Sequence, residues 1–157
     1  MQWSNPGQPN VSDFRAYAES QGVPSADLPS SSDYPTAALN YAMETALDTI
    51  HTGARIQGQP GPYVMAVYYL AMHWLLKWTP DQQGQTFFED QRNKFRLMDF
   101  QSGVVLASGD NATSQTLVVP EFYKKLPMYA QDLLKTPYGR AYIEYAQMYG
   151  PNILGIT

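Results

Sequence analysis

The sequence predicts a mainly α protein, a small helical bundle with an inserted β-hairpin. Three observations carry this. Apolar residues recur at spacings of three and four across several segments, the mark of helices with one buried face. Pro, Gly and Ser punctuate the chain between those segments. The periodicity changes between Gly103 and Val119, where β-branched residues flank a Ser-Gly-Asp-Asn turn signal.

Taken in order, residues 1–10 read as an extended arm rich in Pro, Gly, Gln and Asn, with Trp3 as an anchor. Ser12 is placed to cap a short helix in which Phe14, Tyr17 and Ala18 share a face, ending before Gly22 and Pro24. After the connection PSADLPSSSD, Ser32 or Asp33 caps a longer helix with Pro35 in its first turn. Its apolar face runs through Ala38, Leu39, Ala42, Met43, Ala46, Leu47 and Ile50. GQPGP then marks a tight connection. From Tyr63 to Trp78 the chain is apolar nearly all round, broken by His73 and Lys77 and stopped by Pro80, so this is the expected central buried helix. Residues 81–95 are polar, a loop with a helical turn around Phe87 and Phe88.

The expected hairpin covers about 103–119, with its tip near Gly109 and Asp110. An isolated hairpin is marginal in water, so it must pack on the helices or pair with a neighbouring chain. A broken helical stretch follows from Glu121 to Lys135, interrupted at Pro127. The closing helix is marked at both ends: Thr136 caps it, Pro137 presets its first turn, and Gly150-Pro151 stops it. It carries Tyr138, Tyr142, Tyr145 and Tyr149 at steps of four, three and four, which places them on one stripe. An aromatic stripe is most often core, yet a tyrosine hydroxyl also suits an interface. Residues 152–157 form an apolar tail.

The totals bound the function. At 157 residues the chain suits one domain, here about 11–150 between the arm and the tail. It contains no cysteine, which excludes disulfides, thiolate nucleophiles and cysteine-held metals. The N-terminus lacks a basic and apolar leader, and no window reaches the roughly 18 apolar residues that span a bilayer, so the chain reads as soluble and untargeted. A formal net charge of −4 opposes the phosphate neutralisation that drives nucleic-acid binding. Only 15% of residues are charged while 13% are aromatic, a balance suited to a chain that spends much of its surface on partners.

Little in the sequence asks for catalysis. His51 and His73 lie on separate elements with no carboxylate at a ligating spacing, so no metal is expected, and His73 reads as a satisfied core or interface histidine. No nucleophile elbow, phosphate loop or dinucleotide fingerprint is present, and no cofactor is expected. Glu89-Asp90 reads as a solvated pair, and Lys124, Lys125 and Lys135 as a solvated basic face. Two other function classes stay open: a small-ligand-binding protein or enzyme with an aromatic pocket between Trp74, Trp78 and the tyrosines, and a host-directed regulatory binding protein.

The order of the parts resembles a known family. Asp13-Phe14-Arg15-Ala16-Tyr17, then YLAMHWLL from Tyr69 to Leu76, then a Ser/Gly-bearing hairpin from Ser102 to Val119, then Thr-Pro-Tyr-Gly-Arg-Ala-Tyr from Thr136 to Tyr142, together resemble the head-to-tail adaptors of tailed phages. These head-completion proteins form a ring beneath the portal. The resemblance covers about residues 11–150. Within it, the family's dense Ser and Gly alternation is thinned here to Ser102-Gly103 and Ser108-Gly109. It implies a structural protein of the virion's head–tail connector, without enzymatic activity, assembled as a ring of 12 copies. It also implies a portal partner above, a tail terminator or neck protein below, DNA passing only through the lumen, and no membrane. By the same analogy, Asn152, Ile153, Leu154, Gly155, Ile156 and Thr157 reach the portal. The hairpin tip, Ser108, Gly109, Asp110 and Asn111, and the tyrosines of the closing helix, Tyr138, Tyr142, Tyr145 and Tyr149, serve a subunit or tail interface.

Overall fold

The computed structural model describes residues 8–49, 60–99, 107–110, 113–116 and 127–149. Six helices dominate the described residues: α1 (Val11–Ser20), α2 (Tyr34–Thr49), α3 (Pro60–Trp78), α4 (Phe87–Phe95), α5 (Met128–Leu133) and α6 (Pro137–Tyr149). The protein is mainly α. The arm's Trp3, His51, Lys124, Lys125, the Gly150-Pro151 stop and the 152–157 tail lie outside the described residues.

α3 is the axis, and it packs against α2 and α6 most extensively and against α1 and α4 at its flanks. Its Val64, Val67, Tyr68, Ala71, Leu75 and Leu76 are buried, as a helix apolar on nearly every side requires. α3 begins at Pro60, earlier than the expected Tyr63. Pro60 and Pro62 sit in the first turn, where a missing N–H is no loss and a preset φ helps. No described helix is long and apolar enough to cross a membrane.

α1 starts one turn-fragment earlier than Ser12 suggests, because Asn10 is the cap: its Oδ1 accepts the Asp13 N–H at 2.8 Å. The same turn is tied to the axis, since the Tyr68 hydroxyl donates to Asp13 Oδ2 at 2.8 Å and accepts the Asn10 N–H at 3.3 Å. Gly22 ends α1 at φ +96°, while the Val23 N–H reaches back to the Ala18 carbonyl. The connection to α2 is organised by Arg15. Its guanidinium donates to the carbonyls of Leu28, Pro29, Ser30 and Ser32, so one side chain satisfies four groups of a loop that has no ladder of its own. Asp33 occupies the cap position of α2, its carbonyl accepting the first helical N–H from Ala37.

α4 replaces the expected loop with a helical turn. Its own cap, Thr86, makes no side-chain bond to the helix backbone. Asp81 does that work from outside: its carboxylate accepts the N–H groups of Phe88 at 2.7 Å and Glu89 at 2.8 Å and also meets Arg92. A cap six residues upstream of the helix leaves no local pattern in the sequence. Arg96 then closes α4 in the left-handed region at φ 50°, which turns Leu97 into the core.

Between α4 and α5, two four-residue strands pair antiparallel, β1 (Ala107–Asp110) and β2 (Thr113–Thr116). Asp110 is the partner of Thr113, so Gly109 and Asp110, the expected tip, belong to the paired strand β1. The remainder of the expected 103–119 hairpin lies outside the described residues.

Candidate functional site

α6 is joined to α3 by a buried polar centre. Thr136 caps α6 as expected, its Oγ1 accepting the Gly139 N–H at 2.9 Å. The same hydroxyl lies 2.8 Å from His73 Nδ1, and His73 Nε2 lies 3.3 Å from Asp132 Oδ2. With a neutral imidazole every partner is satisfied: Nε2–H donates to the carboxylate, and Nδ1 accepts from the threonine hydroxyl. Asp132 also takes Lys77 Nζ at 2.7 Å and Lys135 Nζ at 3.4 Å. Burial alone would raise the Asp132 carboxyl, but hydrogen bonds from His73 and Lys77 outweigh it and hold the group well below the usual carboxylate range.

Threonine, histidine and aspartate in that order share the connectivity of a nucleophile triad. The geometry serves another purpose. His73 and Thr136 are both fully buried, and the hydroxyl is already engaged by a backbone N–H, so no reacting group can reach it. The centre is a clamp between helices. His73 is therefore the satisfied core histidine that the sequence suggests, although its partner Asp132 sits 59 residues away and was not foreseen.

Gly139 completes the clamp. A Cβ at this position would lie 2.0 Å from the Leu133 carbonyl oxygen and 2.7 Å from its carbon, so α6 lies directly on the backbone at the end of α5. Only glycine permits that approach. The run Thr-Pro-Tyr-Gly thus has a physical reading: cap, preset turn, packing ring, and contact point.

The tyrosine stripe divides. Tyr142 is 3% exposed, and burial pushes its hydroxyl well above the ordinary tyrosine value. It is a core residue of this chain, as an aromatic stripe most often is. Tyr145 is half-buried, its ring 5.5 Å from Tyr69, which in turn meets Tyr17 edge-on. Tyr138 is also half-buried. The side chain of Tyr149, together with Asn111 and Asn152 to Thr157, lies outside the described residues, and Ser108, Gly109 and Asp110 are placed in β1.

A second aromatic group faces outward. Trp74 and Trp78 stack at 5.0 Å, and Tyr41 of α2 stands edge-on to both at 5.2 Å. Lys77 Nζ rests 5.1 Å from the Trp74 ring, which links this ledge to the buried centre through Asp132. Tyr41 is 43% and Trp78 37% exposed, so the group is a ledge open to solvent. The sequence singles out both tryptophans and misses Tyr41, whose i+33 relation to Trp74 has no local signature. Glu89 and Asp90 are exposed, as a solvated pair should be. Among the described residues no three His, Cys, Asp or Glu side chains are grouped to hold a metal.

Comparison with family models, with curated proteins and with solved structures finds no match.

Proposed function

We propose that this chain is a structural head-to-tail adaptor of a tailed phage, located in the connector of the virion and acting through geometry rather than catalysis. One observation carries the reading. Two stretches that carry the resemblance, YLAMHWLL and TPYG, meet in one buried clamp, where His73 and Thr136, 63 residues apart, lie 2.8 Å from each other. Their co-occurrence then has a shared physical cause, the locking of α6 on α3.

The outward ledge of Tyr41, Trp74 and Trp78 supports a partner-rich surface, because aromatic side chains that combine an apolar body with a polar edge are favoured at interfaces. In the proposed assembly 12 copies form a ring between the portal and a tail terminator or neck protein. Ring closure is heterologous, so each copy offers two different faces to its neighbours. The inserted hairpin, through Ser108 to Asn111, and the exposed edges of Tyr138 and Tyr145 meet a neighbour or the tail, while residues 152–157 meet the portal. A chain of net charge −4 suits a lumen through which DNA slides without adhering.

Removing the gene from the source phage should yield filled heads and free tails that fail to join, and supplying the chain in trans should restore infectious particles. Normal tailed particles in its absence would sink the adaptor role. Deleting 152–157 should leave a folded chain that no longer joins heads to tails.

A further inference from the structure

Most of the large apolar side chains that the described residues expose gather in two patches; Met98 and Met148 belong to neither. The first is the ledge, Tyr41 and Trp78 over Trp74, with Tyr34 two turns earlier on the same side of α2. The second lies on α5 and α6. There Tyr129, Leu133, Ile143 and Ala146 bound a shallow groove whose open surface is almost wholly apolar, and Met128, next to Tyr129, is 72% exposed.

The two patches look in different directions. Trp74 and Trp78 of α3 face Tyr41 of α2, whereas Tyr69 and His73 of α3 meet Tyr145 and Thr136 on the side of α6. At about 100° per residue these two sets stand roughly 140° apart round α3. A copy cannot bring its own ledge to its own groove, but a second copy can.

Charge decides how two copies meet. Residues 33–49 carry Asp33, Glu44 and Asp48 and no basic residue, while residues 124–149 carry Lys124, Lys125, Lys135 and Arg140 against Asp132 and Glu144. Among the described residues Glu44 and Arg140 enter no ion pair, and Lys77, the cation at the ledge, is held by Asp132. Ledge on ledge would set acid against acid, and groove on groove would set base against base. Ledge on groove brings opposite charges together.

We propose that the ledge of one copy, Tyr34, Tyr41 and Trp78, docks head to tail on the α5–α6 groove of the next. The inference rests on the proposed ring and gives that ring its contact. Because the two faces differ, each added copy leaves one face free, and the array grows until it closes. A face of a few rings is small, so a single contact is weak. Copies collected on a portal are held at high effective concentration, where a weak contact suffices.

The test is the isotope-labelled full chain concentrated from micromolar to millimolar, read by the indole resonances of Trp74 and Trp78 and the methyl resonances of Ile143 and Ala146. The expected result is a saturable shift at both patches with one midpoint. Trp78→Ser or Tyr34→Ser, each at an exposed position, should abolish the shifts at Ile143 and Ala146 on the far side of the molecule. Tyr129→Glu should likewise abolish those at Trp74 and Trp78. Unaltered melting temperatures of the Tyr34 and Tyr129 variants would separate a lost contact from a lost fold. A labelled Trp78→Ser chain mixed with an unlabelled Tyr129→Glu chain should recover the shift at Ile143 and stop at a pair. No shift at millimolar concentration, shifts at one patch alone, or groove shifts that survive both ledge variants would each overturn the proposal. A chain present in virions that shows none of these shifts would overturn this contact alone, whereas the shifts in a chain absent from virions would uphold the contact and overturn the adaptor reading.

Discussion

Replacing Gly139 with alanine adds one methyl group, and the structure says where it goes. The new Cβ would stand 2.0 Å from the Leu133 carbonyl oxygen, 2.7 Å from its carbon and 2.9 Å from its Cα. All three are backbone atoms, so no rotamer change relieves the contact. An ordinary contact distance of 3.4 Å requires α6 to retreat by about 1.4 Å at this point. Overpacking of this kind costs about 1–3 kcal/mol. The retreat also pulls on the His73 to Thr136 bond and on the cap, at about 1 kcal/mol each. Against this, alanine gains about 1 kcal/mol of helix propensity over glycine. The net loss is about 2–4 kcal/mol, a fall of about 4–16 °C in the melting temperature of a chain of this size. Thermal unfolding followed by circular dichroism measures it. A Gly139→Ala variant that melts at or above the wild-type temperature would refute the close contact of α6 with α5.

Other perturbations test other parts of the structure. Asp81→Ala removes the remote cap of α4 and should cost about 1–2 kcal/mol, with faster hydrogen exchange at Phe88 and Glu89; unchanged exchange there would contradict the capping role. Asp27 is buried with an Oδ1 that has no partner among the described residues, and its carboxyl is raised by burial and then by the nearby Asp81. A raised acid binds its proton more tightly in the native state, so its contribution falls as pH rises above the usual carboxylate value. Asp27→Asn should therefore raise the melting temperature near neutral pH and have little effect near pH 3; a loss at neutral pH would be contrary. Asp132 has the opposite sign. Its contribution is complete above the ordinary value near 4 and is lost as pH falls below it, so wild type should lose stability on acidification more steeply than Asp132→Asn. Parallel acid titrations of the two would contradict the clamp.

What the sequence revealed follows from how local each cause is. The helices α2, α3 and α6 are legible because apolar spacing, Pro35, Pro137 and the Thr136 cap all act within a few residues of the element that they define. α4 was legible only as a helical turn around Phe87 and Phe88, since its cap is Asp81 and its faces carry only Phe88 as a buried residue. The start of α1 was misplaced because Asn10 and Ser12 are both good caps, and the contact of Asn10 with Tyr68, 58 residues away, favours the former. At the site, His73 and Thr136 were each singled out, one as a satisfied histidine and one as a cap. That they bond to one another is a tertiary fact with no trace in spacing. The tyrosine stripe shows the same limit from the other side. Period placed the rings on one face, but which of them are covered depends on α3 and α5, and Tyr142 alone of the three described is fully in the core.

The central claim, that this chain belongs to the connector of a phage particle, is tested most directly by counting it there. Quantitative mass spectrometry of purified virions from the source should find it at a copy number close to that of the portal. Its absence from finished particles, with the portal readily counted in the same sample, would contradict the account.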